Sequence, residues 1–144
     1  MIRRVPQLKK VKLDIGCGEK PHEGYVGMDV RDCGQQIVWD ARQGIPFPDS
    51  SVDEILTSHF LEHLDDDQGI DFLQECMRVL KPKGQMKNRL PHLVSDTAFF
   101  FGHKSFWNEA RVNALLRMTE KIEPFIIVMN ERKDHELVFV LQKK

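Results

Sequence analysis

A glycine-rich turn follows an alternating stretch near the start of the sequence and could hold a nucleoside. In "LDIGCG", Leu13 and Ile15 alternate with a polar residue and predict a strand, which Gly16 and Gly18 end. Glycines let the backbone approach a ligand closely because they have no Cβ. A second predicted strand ends near Asp29, whose carboxylate can accept hydrogen bonds from both hydroxyls of a ribose. The stretch therefore predicts a nucleoside site.

Histidines that could act as bases lie further along the chain. "SHFLEHL" places His59 and His63 four residues apart, so a short helix would bring both to one side, with Glu62 beside them. His92 and His103 fall in "PHLVSDTAFFFGHKSFWNEA", a segment expected beyond the C-terminal ends of the strands. Histidine suits proton transfer near neutral pH, so His63, His92 and His103 are the candidate catalytic bases. A metal site is disfavoured because the H-E-x-x-H order is absent and a third ligand is not identified.

Aromatic residues surround the last two of these histidines. They could line the pocket of a ligand that is to be modified: Phe99, Phe100, Phe101 and Trp107. The alternative is that the aromatic side chains belong to the core and the histidines are solvated loop residues, which is the commoner fate of each residue taken singly.

The elements that must position these residues are mostly short strands. Alternation and turn residues predict seven of them, over residues 11–15, 25–30, 36–40, 52–57, 84–90, 124–130 and 136–142, the last two forming an antiparallel hairpin. A first helix is predicted to begin after Asp65 and to be ended by Pro82 and Gly84. A second helix, capped by Ser105, is predicted to bury Trp107, Ala110, Ala114, Leu115 and Met118.

Three early connections are too short for ordinary crossover helices. Residues 19–24 and 31–36 are short stretches, and residues 41–51 contain two prolines. A helix of average length needs about 11 residues plus its turns. We therefore predict an α/β fold with a mostly parallel sheet and an antiparallel terminal strand, in which several early crossover helices are shortened or missing.

Missing helices would leave one face of a parallel sheet uncovered, and an apolar face of that kind marks an interface. We expect a second copy of the chain, a partner protein or the N-terminal residues 1–10 to cover it. The polar residues Lys12 and Asp14 offer an alternative, in which this face is simply more hydrophilic.

Five segments in order carry a resemblance to a known family: "LDIGCG", "GYVGMDV", "IPFPDSSVDEI", "SHFLEHL" and "CMRVLKPKG". The chain resembles the class I S-adenosylmethionine-dependent methyltransferases of the broad type 11 kind, in a reduced form. The resemblance implies a Rossmann-like sheet and S-adenosyl-L-methionine as the cofactor. We expect a single methyltransferase-like domain over residues 1–144, with residues 1–10 as an N-terminal extension.

The resemblance also implies which residues contact the cofactor. Asp14 would lie near the methionine part, Asp29 at the ribose and Asp40 at the adenine edge, while Ser58 and His59 would border the transferred methyl. The full expected set is Asp14, Gly16, Cys17, Gly18, Asp29, Val30, Asp40, Ala41, Ser58 and His59. Two alternatives stay open: Asp14 could merely cap the glycine turn, and Asp40 could be an ordinary loop residue.

A dinucleotide-dependent dehydrogenase is the natural competitor for such a turn. Its fingerprint, G-x-G-x-x-G, runs into a helix whose N-terminus holds a pyrophosphate. Here Pro21 stands at the third glycine position and too few residues remain for a helix. Because S-adenosylmethionine carries no phosphate, the missing helix disfavours a dinucleotide and is tolerable for a sulfonium cofactor.

The expected function is methyl transfer to a small-molecule or saccharide-like acceptor. A non-catalytic module that binds S-adenosylmethionine or S-adenosylhomocysteine as a regulatory or scaffold subunit is the alternative. A formal charge of −1, from 21 basic and 22 acidic residues, disfavours nucleic-acid substrates. The sequence contains no apolar run that would span a membrane. Three cysteines without a CxxC pair suggest reduced thiols and a cytoplasmic location, and a homodimer or a partner protein is expected to cover the open face of the sheet.

Overall fold

The computed structural model describes residues 1–3, 9–92, 107–119 and 125–144 of the chain. Within these ranges the strands are β1 Lys12–Ile15, β2 Val26–Asp29, β3 Ile37–Val38, β4 Val52–Ser58, β5 Leu80–Pro91, β6 Phe125–Lys133 and β7 Glu136–Lys143. The helices are α1 Asp66–Val79 and α2 Glu109–Thr119, with 3-10 turns at Ala41–Gln43 and Leu61–His63. Each predicted strand is present, which confirms the α/β assignment.

One seven-stranded sheet contains all of these strands, in the order β3-β2-β1-β4-β5-β7-β6. The pairs from β3 through β5 are parallel, whereas β7 runs antiparallel between β5 and β6. The strand order reverses at β1, which has β2 on one side and β4 on the other. Open sheets of this kind bind ligands beyond the C-terminal ends of the strands at such a switch point.

The two faces of the sheet differ in chemistry. Residues paired across neighbouring strands share a face, and one such row is at most 1% exposed: Leu13, Ile55, Met86 and Leu141. The adjacent row on the opposite face contains no buried residue: Lys12, Glu54, Gln85 and Gln142. We call these the apolar face and the polar face. Much of the polarity of β5, unusual for a central strand, belongs to the polar face, where Gln85 and Lys87 are exposed. Asn88 is buried on the apolar face, where its Oδ1 accepts a hydrogen bond from the Thr57 hydroxyl.

Helix α1 packs on the apolar face and begins as the sequence predicts. The Asp65 side chain accepts a hydrogen bond from the Gln68 amide, and Gln68 returns one to the Asp65 amide, which completes a capping box. The helix buries Phe72, Leu73, Cys76 and Met77, among other residues. It ends at Val79 rather than at Pro82, because a residue before proline disfavours helical backbone and Leu80 already starts β5.

Helix α2 is present and Trp107 is buried as predicted, but Ala110, Ala114 and Met118 are not; the side chain of Leu115 lies outside the described residues. Val112 and Leu116 are buried, whereas Ala110 and Ala114 are exposed and Met118 is 61% exposed. The pattern was counted from Trp107, which lies before the helix and stacks on Phe139 of β7, with ring centroids 6.1 Å apart. The proposed cap, Ser105, lies outside the described residues.

The loop over residues 44–51 takes the place of a crossover helix and is anchored to α1 by two charged side chains. Glu75 accepts a hydrogen bond from the Ile45 amide at 2.9 Å. Arg78 donates to the carbonyl oxygens of Ile45 and Phe47 and to the carboxylates of Glu75 and Asp49. These bonds satisfy backbone groups that a helix would otherwise satisfy.

The free edge of β3 is paired with the first residues of the chain. Ile2 forms an antiparallel bridge with Ile37, and the Val38 amide donates to the Met1 carbonyl at 2.8 Å. Arg3 reaches back to the Gln35 carbonyl and the Asp32 carboxylate. In the described part of the chain, neither helix is long and apolar enough to cross a membrane.

Candidate functional site

A cleft of about 440 Å³ opens at the C-terminal ends of β1, β2 and β4, where the strand order reverses. It is lined by Ile15, Gly16, Met28, Asp29, Val30, Arg31, Trp39, Asp40, Ala41, Arg42, His59, Phe60, His63 and Leu64. Its size falls within the usual range of small-molecule sites. Many residues singled out in the sequence therefore meet in one place although they are far apart along the chain.

The glycine turn after β1 forms one wall of this cleft. Gly16 has a left-handed backbone, with φ of 74°, and its amide donates to the Met28 carbonyl at 2.8 Å. A Cβ at this position would lie 2.6 Å from Cδ2 of Phe60. Any other residue would therefore both strain the backbone and displace the Phe60 ring.

Asp29 ends β2 with its carboxylate held by two backbone donors. Its Oδ2 accepts from the Gly18 amide at 2.9 Å, and its Oδ1 accepts from the Arg31 amide at 3.0 Å. Gly18, which also has a positive φ of 60°, can present that amide without steric cost. Each carboxylate oxygen has a second lone pair, so the fixed carboxylate can still accept bonds from two hydroxyl groups.

Asp14 and Cys17 stabilise the turn and do not line the cleft. Asp14 is 1% exposed, and its Oδ2 accepts from the His22 amide at 2.8 Å and lies 2.8 Å from His22 Nδ1. The Cys17 side chain packs against β2, because a Cβ on Gly27 would lie 2.9 Å from its Sγ. Burial, reinforced by the charges of Asp14 and Asp29, raises the pKa of the Cys17 thiol to about 12, so it stays neutral. This geometry favours a capping role for Asp14.

Asp40 closes the far end of the cleft together with its neighbours. Its carboxylate accepts from the Arg42 amide, which caps the 3-10 turn that begins at Ala41, and also from the Arg42 guanidinium at 2.7 and 2.9 Å. Hydrogen bonding to Arg42 lowers the pKa of Asp40 although burial opposes this. Trp39, whose Nε1 donates to the Gly44 carbonyl, adds an aromatic wall.

His59 follows β4 in a left-handed conformation that is uncommon outside glycine, with φ of 54°. Its ring is about half exposed, with Nε2 3.0 Å from a Glu136 carboxylate oxygen and Nδ1 3.5 Å from a Glu62 carboxylate oxygen. Its interaction with Glu62, followed by that with Glu136, raises the pKa of His59 although burial opposes the shift. Two carboxylates therefore influence the charge of this histidine directly.

The three histidines predicted as bases are placed differently. His63 lines the cleft. His92 lies at the end of β5, is 7% exposed, and its Nε2 is 2.9 Å from the Glu109 carboxylate of α2, away from the cleft. His103, like the predicted aromatic run Phe99 to Phe101, lies outside the described residues. Ser58 belongs to the polar face beside Arg89 and does not line the cleft.

Several lining residues were not identified from the sequence. They are Ile15, Met28, Arg31, Trp39, Arg42, Phe60 and Leu64. Each of them lies next to a residue that was predicted to contact the cofactor or to act as a base. Their place at or just after the end of a strand was the sequence signal that could have identified them. No group of three or more histidine, cysteine or acidic residues in the described ranges is arranged to hold a metal ion.

A 3-2-1-4-5-7-6 sheet with an antiparallel β7 is the fold of the class I S-adenosylmethionine-dependent methyltransferases, and the cleft lies at its switch point. Residues 13–86, about half of the chain, match the family described as "Methyltransferase domain". The chain belongs to this family.

Comparison with individual proteins agrees with this membership. A probable S-adenosylmethionine-dependent methyltransferase of Mycolicibacterium smegmatis is 28% identical over an alignment of length 131, and the match covers 72% of this chain and 49% of that protein. The chain thus spans about half the length of this relative. A SAM-dependent methyltransferase of Archaeoglobus fulgidus superposes with a TM-score of 0.71 and 16% identity, over 93% of this chain and 86% of that one.

A structure with ligands shows the same fold. The 1,6-didemethyltoxoflavin-N1-methyltransferase of Burkholderia thailandensis, with 1,6-didemethyltoxoflavin and S-adenosylhomocysteine bound, superposes with a TM-score of 0.69 and 18% identity. The match covers 93% of this chain and 71% of that one. At such identities the superposition establishes the fold, while the cofactor assignment rests on the family.

The residues of the cleft fit S-adenosylmethionine. Asp29 has lone pairs left for a ribose, Trp39 and Val30 offer apolar surface for a flat base, and the volume matches a ligand of moderate size. The cofactor carries no phosphate, which agrees with the lack of a helix after the glycine turn.

Proposed function

We propose that the protein transfers a methyl group from S-adenosylmethionine to a small-molecule or saccharide-like acceptor. The observation that carries this proposal is the Asp29 carboxylate, fixed by two backbone donors at the mouth of the cleft beside the glycine turn. That arrangement suits a ribose, and family membership supplies the sulfonium cofactor.

Methyl transfer needs alignment more than covalent help from the protein. The sulfonium already activates its methyl carbon when the cofactor is bound, so the chain's residues have to orient it and exclude water. In this proposal Asp29 holds the ribose, and Asp40 and Ala41 meet the adenine edge. Gly16 and Phe60 shape the wall next to the methionine part.

The acceptor is proposed to enter from the side of His59 and His63, opposite Asp40 along the cleft. The Burkholderia neighbour acts on a small heterocycle, which supports a small-molecule acceptor. The balanced charge of the chain gives no general attraction to nucleic acid. Three free thiols support a reducing compartment, so a cytoplasmic location is part of the proposal.

Calorimetric titration with S-adenosylmethionine, S-adenosylhomocysteine and NAD⁺ tests the cofactor part. We expect the first two to bind and Asp29→Ala to weaken them by about 1.5–3 kcal/mol, as for lost hydrogen bonds to a charged group. Asp32→Ala is the matched control, because this exposed acid follows the same strand but contacts Arg3 rather than the cleft.

Two results would change the proposal. If NAD⁺ binds in preference to the sulfonium compounds, the site serves a dinucleotide. If both sulfonium-derived ligands bind but a broad panel of acceptors yields no methylated product, the non-catalytic alternative gains the support that it lacks at present.

A further inference from the structure

His59 lies between two carboxylates that come from different parts of the fold. Glu136, at the start of β7, approaches its Nε2 to 3.0 Å, and Glu62, in the 3-10 turn after β4, approaches its Nδ1 to 3.5 Å. The same ring lines the cleft at the end of β4. Its left-handed backbone, a conformation that clusters at functional sites, holds the ring in this position.

The two carboxylates differ in what else they contact. Glu62 is 2% exposed, and neither of its oxygens accepts a hydrogen bond in the described structure, although burying an ionised carboxylate is costly. Glu136 is partly exposed and also accepts from the Arg89 guanidinium at 2.9 Å. Glu62 therefore depends on a nearby positive charge more than Glu136 does.

We propose that His59 is the residue that takes up the proton lost by the acceptor, with Glu62 and Glu136 as positioning residues. This inference rests on the proposed methyltransferase function and extends it. After transfer the His59 imidazolium would place a positive charge beside the buried Glu62 carboxylate.

The step balances for a hydroxyl or a neutral amine. The acceptor oxygen or nitrogen forms a bond to the methyl carbon, and the carbon–sulfur bond breaks with its electron pair going to sulfur. The sulfonium becomes a neutral thioether, and the acceptor's proton passes to Nε2 of neutral His59. Nε2 can leave Glu136 for this purpose because Glu136 keeps Arg89 as its partner, while Nδ1–H stays directed at Glu62.

Binding of the cofactor should therefore depend on pH in a way that binding of the product does not. S-adenosylmethionine carries the sulfonium charge and competes with a protonated His59, whereas S-adenosylhomocysteine lacks that charge. In the described residues the charged groups that contact His59 are Glu62, in the 3-10 turn after it, and Glu136 on β7. Arg89 on β5 bonds to Glu136, and His63 lines the same cleft. Glu62 and then Glu136 raise the pKa of His59 although burial opposes the shift, which extends the competing protonated form to higher pH.

The test is calorimetry of both ligands on the full chain between pH 6 and pH 8.5, in buffers of different ionisation enthalpy so that released protons are counted. We expect the affinity ratio of S-adenosylmethionine to S-adenosylhomocysteine to rise about tenfold over this range, the effect of one pKa unit. His59→Gln should make the ratio independent of pH. Glu62→Gln should move the midpoint of the rise to lower pH because the imidazolium loses a stabilising charge.

Two control variants separate this role from others. His135→Gln, an exposed histidine outside the cleft, should behave as wild type. His63→Gln should keep the rise, and its loss in that variant would assign the proton to His63 instead and overturn the proposal. A ratio that stays flat in the wild type would also overturn it, while the cofactor site stands. Failure of both ligands to bind at every pH would defeat the proposed function itself, and the role of His59 with it.

Discussion

The apolar and polar faces of the sheet differ in what makes them stable in water: helices cover the first, and polar side chains line much of the second. On the apolar face, α1 and α2 cover rows of mostly aliphatic side chains that are essentially inaccessible to water from β1 to β7. On the polar face the strands carry charged residues that pair with one another, such as Lys12 with Glu54 and Arg89 with Glu136. The chain thus tolerates missing crossover helices by changing what its strands present to solvent.

This difference bears on the expectation of a covering partner. From β1 to β7 the exposed and half-exposed rows of the polar face are hydrophilic, which favours the alternative of a hydrophilic face there. The edge strand β6 differs, because Ile126, Ile127 and Val128 are apolar and 42–50% exposed, so an interface is still expected at this edge. Apolar residues such as Leu56, Val138 and Val140 also lie on this face, but they are buried. A homodimer remains a prediction, and light scattering at high concentration tests it.

The largest expected effect comes from paired substitutions across the two faces of β1. Leu13→Ala should lower the free energy of unfolding by about 2–5 kcal/mol, because Leu13 is fully buried and its removal leaves a cavity. Lys12→Ala, one residue away on the polar face, should change it by about 0.5 kcal/mol or less. Urea denaturation measures both. Similar losses at the two positions would mean that the polar face is covered in solution.

A smaller effect is expected where a loop replaces a helix. Arg78→Met keeps the aliphatic stem but removes the donors that hold residues 44–51 to α1, and should cost about 2 kcal/mol. Arg132→Met is a control, since Arg132 is exposed and its Nε donates to the Asp134 carbonyl in the β6–β7 turn. If the two variants unfold at the same urea concentration, the loop does not depend on this anchor.

The smallest expected effect is a pH-dependent loss of stability on the polar face, which carries the ionisable Glu136. Burial opposes the shift, but the Arg89 guanidinium and His59 lower the pKa of Glu136 below its ordinary value. Its stabilising contribution is therefore present above the ordinary glutamate pKa and is lost as pH falls through the lowered one. Glu136→Gln should cost about 1 kcal/mol or less at pH 7, and this cost should decrease as the pH falls below the ordinary glutamate pKa, by urea denaturation at each pH. A cost that is unchanged at pH 3 would contradict this account.

Local chemistry explains which features could be predicted from the sequence. The strands and the start of α1 were predictable because alternation, turn glycines and the Asp65 capping box act over a few residues. The missing helices followed from connection length alone. The ribose-binding role expected of Asp29 was predictable because this acid ends β2, and ligands bind at the ends of such strands where the strand order reverses.

Other features depend on tertiary contacts that no local pattern encodes. The buried side of α2 could not be read because Trp107 packs on β7 instead of continuing the helix. Asp14 meets His22 only because the turn folds back on itself. The Glu62–His59–Glu136 arrangement requires β7 to lie beside β5, and its two acids are 74 residues apart in the chain.

The position of β1 has a consequence for the order of folding. The β6–β7 hairpin joins neighbouring residues and can form in about 1–10 μs. The β1–β4 pairing, such as Leu13 with Ile55, must first close a loop of some 40 residues, and the entropy of closure delays it. The cleft lies at that junction, so it should be completed late. A cofactor would then slow unfolding and leave the folding rate almost unchanged.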